Sequence, residues 1–383
     1  MPETRSSRVL VVSASIGSGH VAAGRAVAAA MVERGAAVEH VDLLDYTSAP
    51  FRRLYRQAYF DLVRTAPDLV DWLGKRLDVS REAKTRQARL RARMTRLISY
   101  HLPRQIDAFR PDLILHTHFL GAEILSTRKR SHAIPQVEVI TDFLVHGLHL
   151  HPLMRRYYVA HEELAVHLRA VGVDNDKIRV TGIPIDARFA DLPDRGAARA
   201  ALGLDPDRDV LLIMAGGMEA KVTLEMLQQL RALRWPLTVV VVTGRSEELR
   251  HRLTDAVDEA DGLVRFRVLG YTHEVPTWMA AVDLLAGKPG GLTTSEALAA
   301  GLPFAVVQPY PLQEEANANF LVEGGAGMRI DPITTFAYKV QRLLGDPERR
   351  ATMARAARAL GRPRAAADVA DDVIEAGWLP HRS

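Results

Sequence analysis

The 383-residue chain has no cysteine, which excludes disulfide scaffolds, thiol nucleophiles and Cys-ligated metals. Nor does it have a long apolar run. The longest, such as LTVVVV and VLLIM, are strand-sized, whereas a bilayer span needs roughly 18–20 residues. The start, MPETRSSRVLVVSAS, lacks the shape of a signal peptide, because its apolar stretch is short and runs straight into a glycine loop. A cytoplasmic chain is the expectation. No zinc finger, helix-turn-helix or RNA-recognition signature occurs, so nucleic acid is not an expected partner. No Walker-type Gly-Lys-Ser/Thr loop is present either. No metal and no cofactor is expected.

What is there describes an ordinary globular protein. Hydrophobic residues make up 48% and charged residues 25%, which excludes wholesale disorder. The length predicts two domains of roughly 150–200 residues each. The formal charge is +4, but it is unevenly spread. Between Arg52 and Arg104 there are 14 Lys/Arg against 5 Asp/Glu, a local +9. From its start, Phe51, Leu54, Tyr55, Ala58, Tyr59 and Leu62 recur at helical spacing and form one apolar stripe. The following run REAKTRQARLRARMTR, with Arg86, Arg89, Arg91 and Arg93, reads as a cationic helical surface. Two readings stay open at this point: a solvated face, or a surface that meets an anionic membrane.

Strand and helix patterns alternate twice along the chain. The first series has apolar strands at 8–15, 37–43, 111–118, 135–141 and 155–160, interleaved with helices. The second has strands at 210–214, 237–244, 264–270, 283–287 and 303–307, with a helix from Thr294. Such alternation implies α/β units with parallel sheets covered on both faces. The expected organisation is an N-terminal Rossmann-like domain over 1–182 and a proline-bearing linker over 183–206. A second Rossmann-like domain over 207–365 and a last helix over 366–383 complete it.

Ligands in such sheets bind where strand ends lead into helix N-termini. Three loops fit. SIGSGH, with Gly17 and Gly19, allows close backbone approach and ends on His20. AGGMEAK, with Gly216 and Gly217, repeats the pattern in the second half. GKPGGLTTSEALAAGLP is the most informative. Gly290 and Gly291 free the backbone, and Thr293, Thr294 and Ser295 are expected to supply N-cap hydroxyls, which makes a cradle for a diphosphate. Glu296, expected in the first helical turn, is poised to accept from a ribose diol. Gln313, Glu314, Glu315, Asn317 and Asn319 form a polar cluster suited to sugar hydroxyls. HTH at 116–118 and HGLHLH at 146–151, including His146, are read as cleft and loop histidines rather than a zinc site. His20 and Asp142, both at strand ends, are candidate bases. His20 is favoured because imidazole ordinarily titrates near the working pH, with Asp142 as base or orienting partner.

GKPGGLTTSEALAAGLP followed by PLQEEANANFLVEGGAG resembles the nucleotide-sugar signature of glycosyltransferase family 28. SIGSGHVAAGRAV, VITDFLVHGLHLHPLMRRYYVAHEELAVHLRAVGV and KIRVTGIPIDARF extend the likeness over most of the chain. The branch most resembled is that of monogalactosyldiacylglycerol synthase and processive diacylglycerol glucosyltransferase. Departures are Gly287, where relatives often carry Thr, and Ile16 and Ser18 in the first loop. The resemblance implies a GT-B architecture, two Rossmann-like lobes with a cleft between them, with the acceptor on the N-terminal side and the donor on the C-terminal side. It assigns Gly290, Gly291, Leu292 and Thr293 to the diphosphate, Glu296 to the ribose and Lys288 to the donor site. Gln313 and Glu314 would meet the sugar, and Tyr271 and Thr272 the uracil. The implied reaction is inverting, metal-independent transfer of a hexose from a UDP-sugar to diacylglycerol or a glycosyl-diacylglycerol, at the inner face of the cell membrane. Phe51, Tyr55, Tyr59 and the arginine run would touch that membrane. The alternatives are a soluble UDP-sugar-dependent enzyme with a non-diacylglycerol acceptor, or a non-catalytic sugar-nucleotide binder. Glucose and galactose donors are not distinguished.

Overall fold

The computed structural model describes residues 6–47, 102–126, 133–257 and 262–379. The chain divides into two compact units. One comprises 1–187, 311–313 and 363–383, and the other 188–310 and 314–362. Phe51, Tyr55, Tyr59, Arg86, Arg89, Arg91 and Arg93, expected at a membrane surface, lie outside the described residues.

In the first unit the strands are β1 (Arg8–Ser13), β2 (Ala37–Asp42), β3 (Leu113–His116), β4 (Gln136–Val139), β5 (Met154–Val159) and β6 (Ile178–Val180). They form one parallel sheet in the order β2-β1-β3-β4-β5-β6. Successive side chains of β1 go to opposite faces. Val9 and Val11 join Val27 and Met31 of helix Ser18–Glu33 and Val369 and Val373 of helix Ala365–Glu375. Leu10 and Val12 join Leu102 and Ile106 of helix Leu102–Phe109 and Leu120 and Ile124 of helix Phe119–Ser126. Burial on both faces is why the strand reads as one unbroken apolar run.

The last helix is also held by charge. Asp372 accepts hydrogen bonds from Arg156, from Arg179 Nε at 2.9 Å and from the Tyr158 hydroxyl at 2.8 Å. Arg34 Nε donates to Asp371 at 2.6 Å, which holds that carboxyl below the usual range. Trp378 packs partly buried against the same core, with Arg156 4.9 Å from its ring centroid. Ile374 of this helix is 42% exposed, and Ala366 and Ala370 take the inner face.

In the second unit β7 (Asp209–Met214), β8 (Leu237–Val242), β9 (Val264–Leu269), β10 (Leu284–Gly287), β11 (Phe304–Val307) and β12 (Gly327–Ile330) form a parallel sheet. Its order is β12-β11-β10-β7-β8-β9. The residues expected as a linker, 183–206, are divided, because the part from 188 onward belongs to this unit. Helix Arg195–Leu202 is its anchor. The buried Arg199 donates from Nη2 to Asp283 Oδ2 at 2.7 Å and from Nε to Ala281 O at 2.9 Å. A buried guanidinium needs such partners, and those fix the segment to the residues just before β10.

In each sheet the connections reverse direction beside one strand. β1 lies between β2 and β3, and β7 between β8 and β10. Crossovers leaving opposite ways open a crevice at the carboxyl ends of these strands, where doubly wound sheets bind ligands. The glycine loops sit at these two places.

Candidate functional site

In the first unit, β1 leads through Gly17, the extended N-cap, into helix Ser18–Glu33. A Cβ on Gly17 would meet nothing within 4 Å, so the turn borders open space. Gly19 and His20 lie in the first turn of that helix. The His20 Nδ1 atom is 2.9 Å from Thr117 O and 2.7 Å from Thr141 Oγ1. A carbonyl oxygen can only accept, so Nδ1 carries the ring proton and Nε2 keeps its lone pair. Burial, partly opposed by the bond to Thr117, pushes His20 down to about 4. The expectation that it titrates near neutrality is therefore corrected. It is a neutral imidazole with a fixed tautomer, the state a general base requires.

Asp142 follows Thr141 at the end of β4 and is half-buried. Thr117 and Thr141 supply orienting contacts at His20 Nδ1. Neither threonine was singled out in the sequence. Hydroxyl residues just past buried strands, in HTH and VIT, were the available signal.

The other histidines are mostly interior. His116 Nε2 meets Gln136 Oε1 at 3.0 Å, and His118 stands edge-on to His20 at 4.7 Å between ring centroids. Both are buried rather than cleft-lining, a correction to the reading of HTH. His146 lies 4.2 Å from His149 and 5.3 Å from Phe119, ring to ring. His149 Nδ1 meets the fully buried Glu138 Oε1 at 2.6 Å. Burial raises Glu138 well above the carboxylate range and lowers His149 to about 3, so the pair is held neutral. Among the described residues no group of three or more His, Asp or Glu side chains is placed to hold a metal ion.

In the second unit, Gly216 and Gly217 form the turn after β7, with Gly217 at φ +80°. Beside it, β10 ends at Gly287, where a Cβ would come within 2.9 Å of Met214 O. Glycine at this position thus permits the close approach of β10 to β7. Helix Gly291–Ala299 follows, and its N-cap is Gly290, with no side-chain cap. Thr293, Thr294 and Ser295 therefore lie inside the helix, not at its cap. Ser295 Oγ donates back to Gly291 O at 2.9 Å, and Thr294 Oγ1 is buried without a hydrogen-bond partner.

The cradle itself remains. Thr294 N donates to Gly290 O at 2.8 Å as the first bond of the helix, so the N–H groups of Gly291, Leu292 and Thr293 point past its end. A Cβ on Gly290 would meet nothing within 4 Å. The buried Lys288 adds positive charge, its Nζ 2.8 Å from the Tyr310 ring centroid. Three aligned donors and a cation suit a diphosphate. Glu296, half-buried, is the sixth residue of the helix and so one turn further along than expected.

The polar cluster is largely spent on structure. Asn317, fully buried, donates to Pro289 O at 2.8 Å and braces the loop before the cradle, rather than presenting its amide to a sugar. Glu314 Oε2 accepts from Tyr310 N at 2.7 Å, and burial raises its pKa. Glu315 and Asn319 both meet Arg329. Gln313 opens helix Gln313–Glu323 and is half-buried. Tyr271, just beyond β9, is 50% exposed and has Arg245 5.2 Å from its ring centroid. Thr272 Oγ1 accepts from Glu274 N at 3.0 Å.

Residues 20–185 match a family described as monogalactosyldiacylglycerol (MGDG) synthase, and residues 194–360 match glycosyl transferases group 1. A processive diacylglycerol beta-glucosyltransferase of Bacillus pumilus is 31% identical over 70% of each chain. Relatives of the same name from Staphylococcus saprophyticus and Bacillus subtilis are 33% and 31% identical, and the matches span 62% and 63% of their lengths. Among solved structures, Acinetobacter baumannii MurG superposes with a TM-score of 0.60 at 16% identity, covering 96% of this chain and 99% of that one. The Staphylococcus aureus MnaA–UDP structure gives 0.65 at 13% identity, covering 98% and 99%. These likenesses carry the two-lobed GT-B fold.

Proposed function

Because this chain belongs to glycosyltransferase family 28, in the branch of the diacylglycerol glycosyltransferases, we propose that it transfers a hexose from a UDP-sugar to diacylglycerol or a glycosyl-diacylglycerol. The observation that carries the chemistry is the fixed tautomer of His20, whose Nδ1 is tied to Thr117 O at 2.9 Å. An acceptor hydroxyl gives its proton to His20 Nε2 while its oxygen forms a bond to the anomeric carbon. On the opposite side of that carbon the bond to the diphosphate breaks, so the configuration inverts. The departing UDP takes the electron pair, and its charge is met by the N–H groups of Gly291, Leu292 and Thr293 and by Lys288. These residues would do for the leaving group what a metal does elsewhere, so no metal requirement is proposed. Glu296 would accept from the ribose hydroxyls, and the exposed face of Tyr271 suits a uracil ring. The relatives are named for glucose, which makes UDP-glucose the first donor to test.

A diacylglycerol acceptor stays in the bilayer, and no helix among the described residues is long and apolar enough to cross one. The +9 segment with Phe51, Tyr55 and Tyr59 supplies electrostatic attraction and shallow insertion, which together give reversible peripheral docking. Sedimentation with anionic vesicles tests this. Binding is expected to fall with salt, since exposed charges are screened over about 10 Å at 0.1 M. It is also expected to be lost when Arg86, Arg89, Arg91 and Arg93 are changed to Glu, while activity on a short-chain soluble acceptor persists. Binding indifferent to lipid charge and to these changes would leave the alternative, a soluble transferase with a non-lipid acceptor.

A further inference from the structure

Behind His20 lies a chain of polar groups that the proposed reaction does not touch. Ser13, the last residue of β1, is 1% exposed, yet its hydroxyl has three neighbours. His40 Nε2 is at 2.7 Å, Thr117 Oγ1 at 2.8 Å and His20 O at 3.2 Å. Thr117 Oγ1 in turn donates to His20 O at 2.9 Å, while Thr117 O accepts from His20 Nδ1. Each hydroxyl has one proton, and a carbonyl has none to give. One arrangement uses every proton once along the shorter contacts. His40 Nε2–H donates to Ser13, Ser13 donates to Thr117, and Thr117 donates to the His20 carbonyl.

The packing leaves a space for this chain. A Cβ on Gly24, in the helix over the site, would collide with Ser13 Oγ and lie 2.6 Å from His40 Nε2. His40 comes from β2, Ser13 from β1 and Thr117 from the end of β3, so the groups bridge the strands at the place where the sheet order reverses. His20 is thus gripped twice by one residue: Thr117 holds its carbonyl through the hydroxyl and its ring through the main chain.

We propose that His40 and Ser13 are positioning residues for transfer, which act through Thr117 to hold the His20 imidazole in its reactive orientation. This rests on the reading of His20 as the base. A misplacement of a catalytic group by about 1 Å can slow a reaction on the order of 100-fold. Loss of one link leaves the site folded but looser.

The test uses the full-length protein with a diacylglycerol acceptor and UDP-glucose, and compares Ser13→Ala, His40→Leu and His40→Gln. Ser13→Ala and His40→Leu are expected to lower kcat roughly 10- to 100-fold. The KM for the lipid and the affinity for UDP are expected to change less than about twofold, since neither ligand is touched. His40→Gln places an amide N–H where Nε2–H stands and is expected to recover most of the lost rate. In a His20→Ala background, Ser13→Ala is expected to add nothing, because the group being positioned is gone. If His20→Ala is nearly inactive while Ser13→Ala and His40→Leu turn over normally, the positioning role is overturned and the base stands. The role is also overturned if Ser13→Ala slows the His20→Ala protein as much as the wild type, or if His40→Gln is no better than His40→Leu. Full turnover by His20→Ala would instead remove the base assignment itself.

Discussion

Replacing His20 with alanine is expected to cut turnover about 10²- to 10⁴-fold, the usual worth of a positioned general base, while UDP binds as before. The separation of effects follows from the placement of the groups. His20 belongs to the first unit and is held by Thr117 and Thr141, whereas the cradle of Gly291, Leu292 and Thr293 belongs to the second. The pH dependence sharpens the expectation. Transfer needs the unprotonated imidazole, and burial holds His20 at about 4 rather than at the usual 6.5. As pH falls, kcat/KM should therefore stay flat through 6.5 and decline only near 4, with a slope of one. A pH–rate profile on the free enzyme reads this directly. An acid limb near 6.5 that disappears in His20→Ala would mean that the ring is more open to water than its packing implies. If His20→Ala keeps its rate and Asp142→Asn loses it, the two residues exchange roles.

The second large effect concerns the donor. Glu296→Ala is expected to weaken UDP binding by roughly 1.5–3 kcal/mol, or about 10- to 160-fold, through loss of charge-assisted bonds to the ribose. The residue lies in the sixth position of helix Gly291–Ala299, one turn beyond the diphosphate donors. That displacement suits a ribose adjoining the diphosphate rather than the diphosphate itself, which a carboxylate would repel. Titration calorimetry with UDP and with 2′-deoxy-UDP separates the two contributions. Unchanged UDP affinity in a folded Glu296→Ala protein would withdraw the ribose assignment.

Much of this was legible before any coordinates. Strands covered on both faces read as uninterrupted apolar runs, so β1, β7 and β8 stood out as RVLVVS, DVLLIM and LTVVVV. The loops after β1, β7 and β10 were equally visible as glycine clusters. The edge strands β6 and β12 were not. They are three and four residues long, and β6 is IRV and β12 is GMRI, with mostly half-buried side chains. The helix start was misplaced because Thr293, Thr294 and Ser295 look like caps, yet Gly290 takes the extended conformation and leaves them inside the helix.

Side-chain direction was the harder quantity. Asn317 looked like a sugar ligand by composition, but only the fold brings Pro289 O within reach of its amide, 28 positions away. Distance in sequence likewise separates Thr117 and Thr141 from His20, by 97 and 121 residues. The segment 183–206 looked like a linker for a similar reason. Its prolines are local, whereas the Arg199–Asp283 pair that anchors it spans 84 residues.

Transfer of a hexose from a nucleotide donor to a membrane lipid is the activity proposed for this chain. Its most direct test is incubation of the purified protein with diacylglycerol in anionic vesicles and labelled UDP-glucose or UDP-galactose, with a chelator present, followed by analysis of the organic extract. Label is expected in a β-linked glycosyl-diacylglycerol with one of these donors, and at least about 100-fold less of it with the His20→Ala protein. Label that stays in the aqueous phase with both donors, while UDP itself binds the folded enzyme, would contradict it.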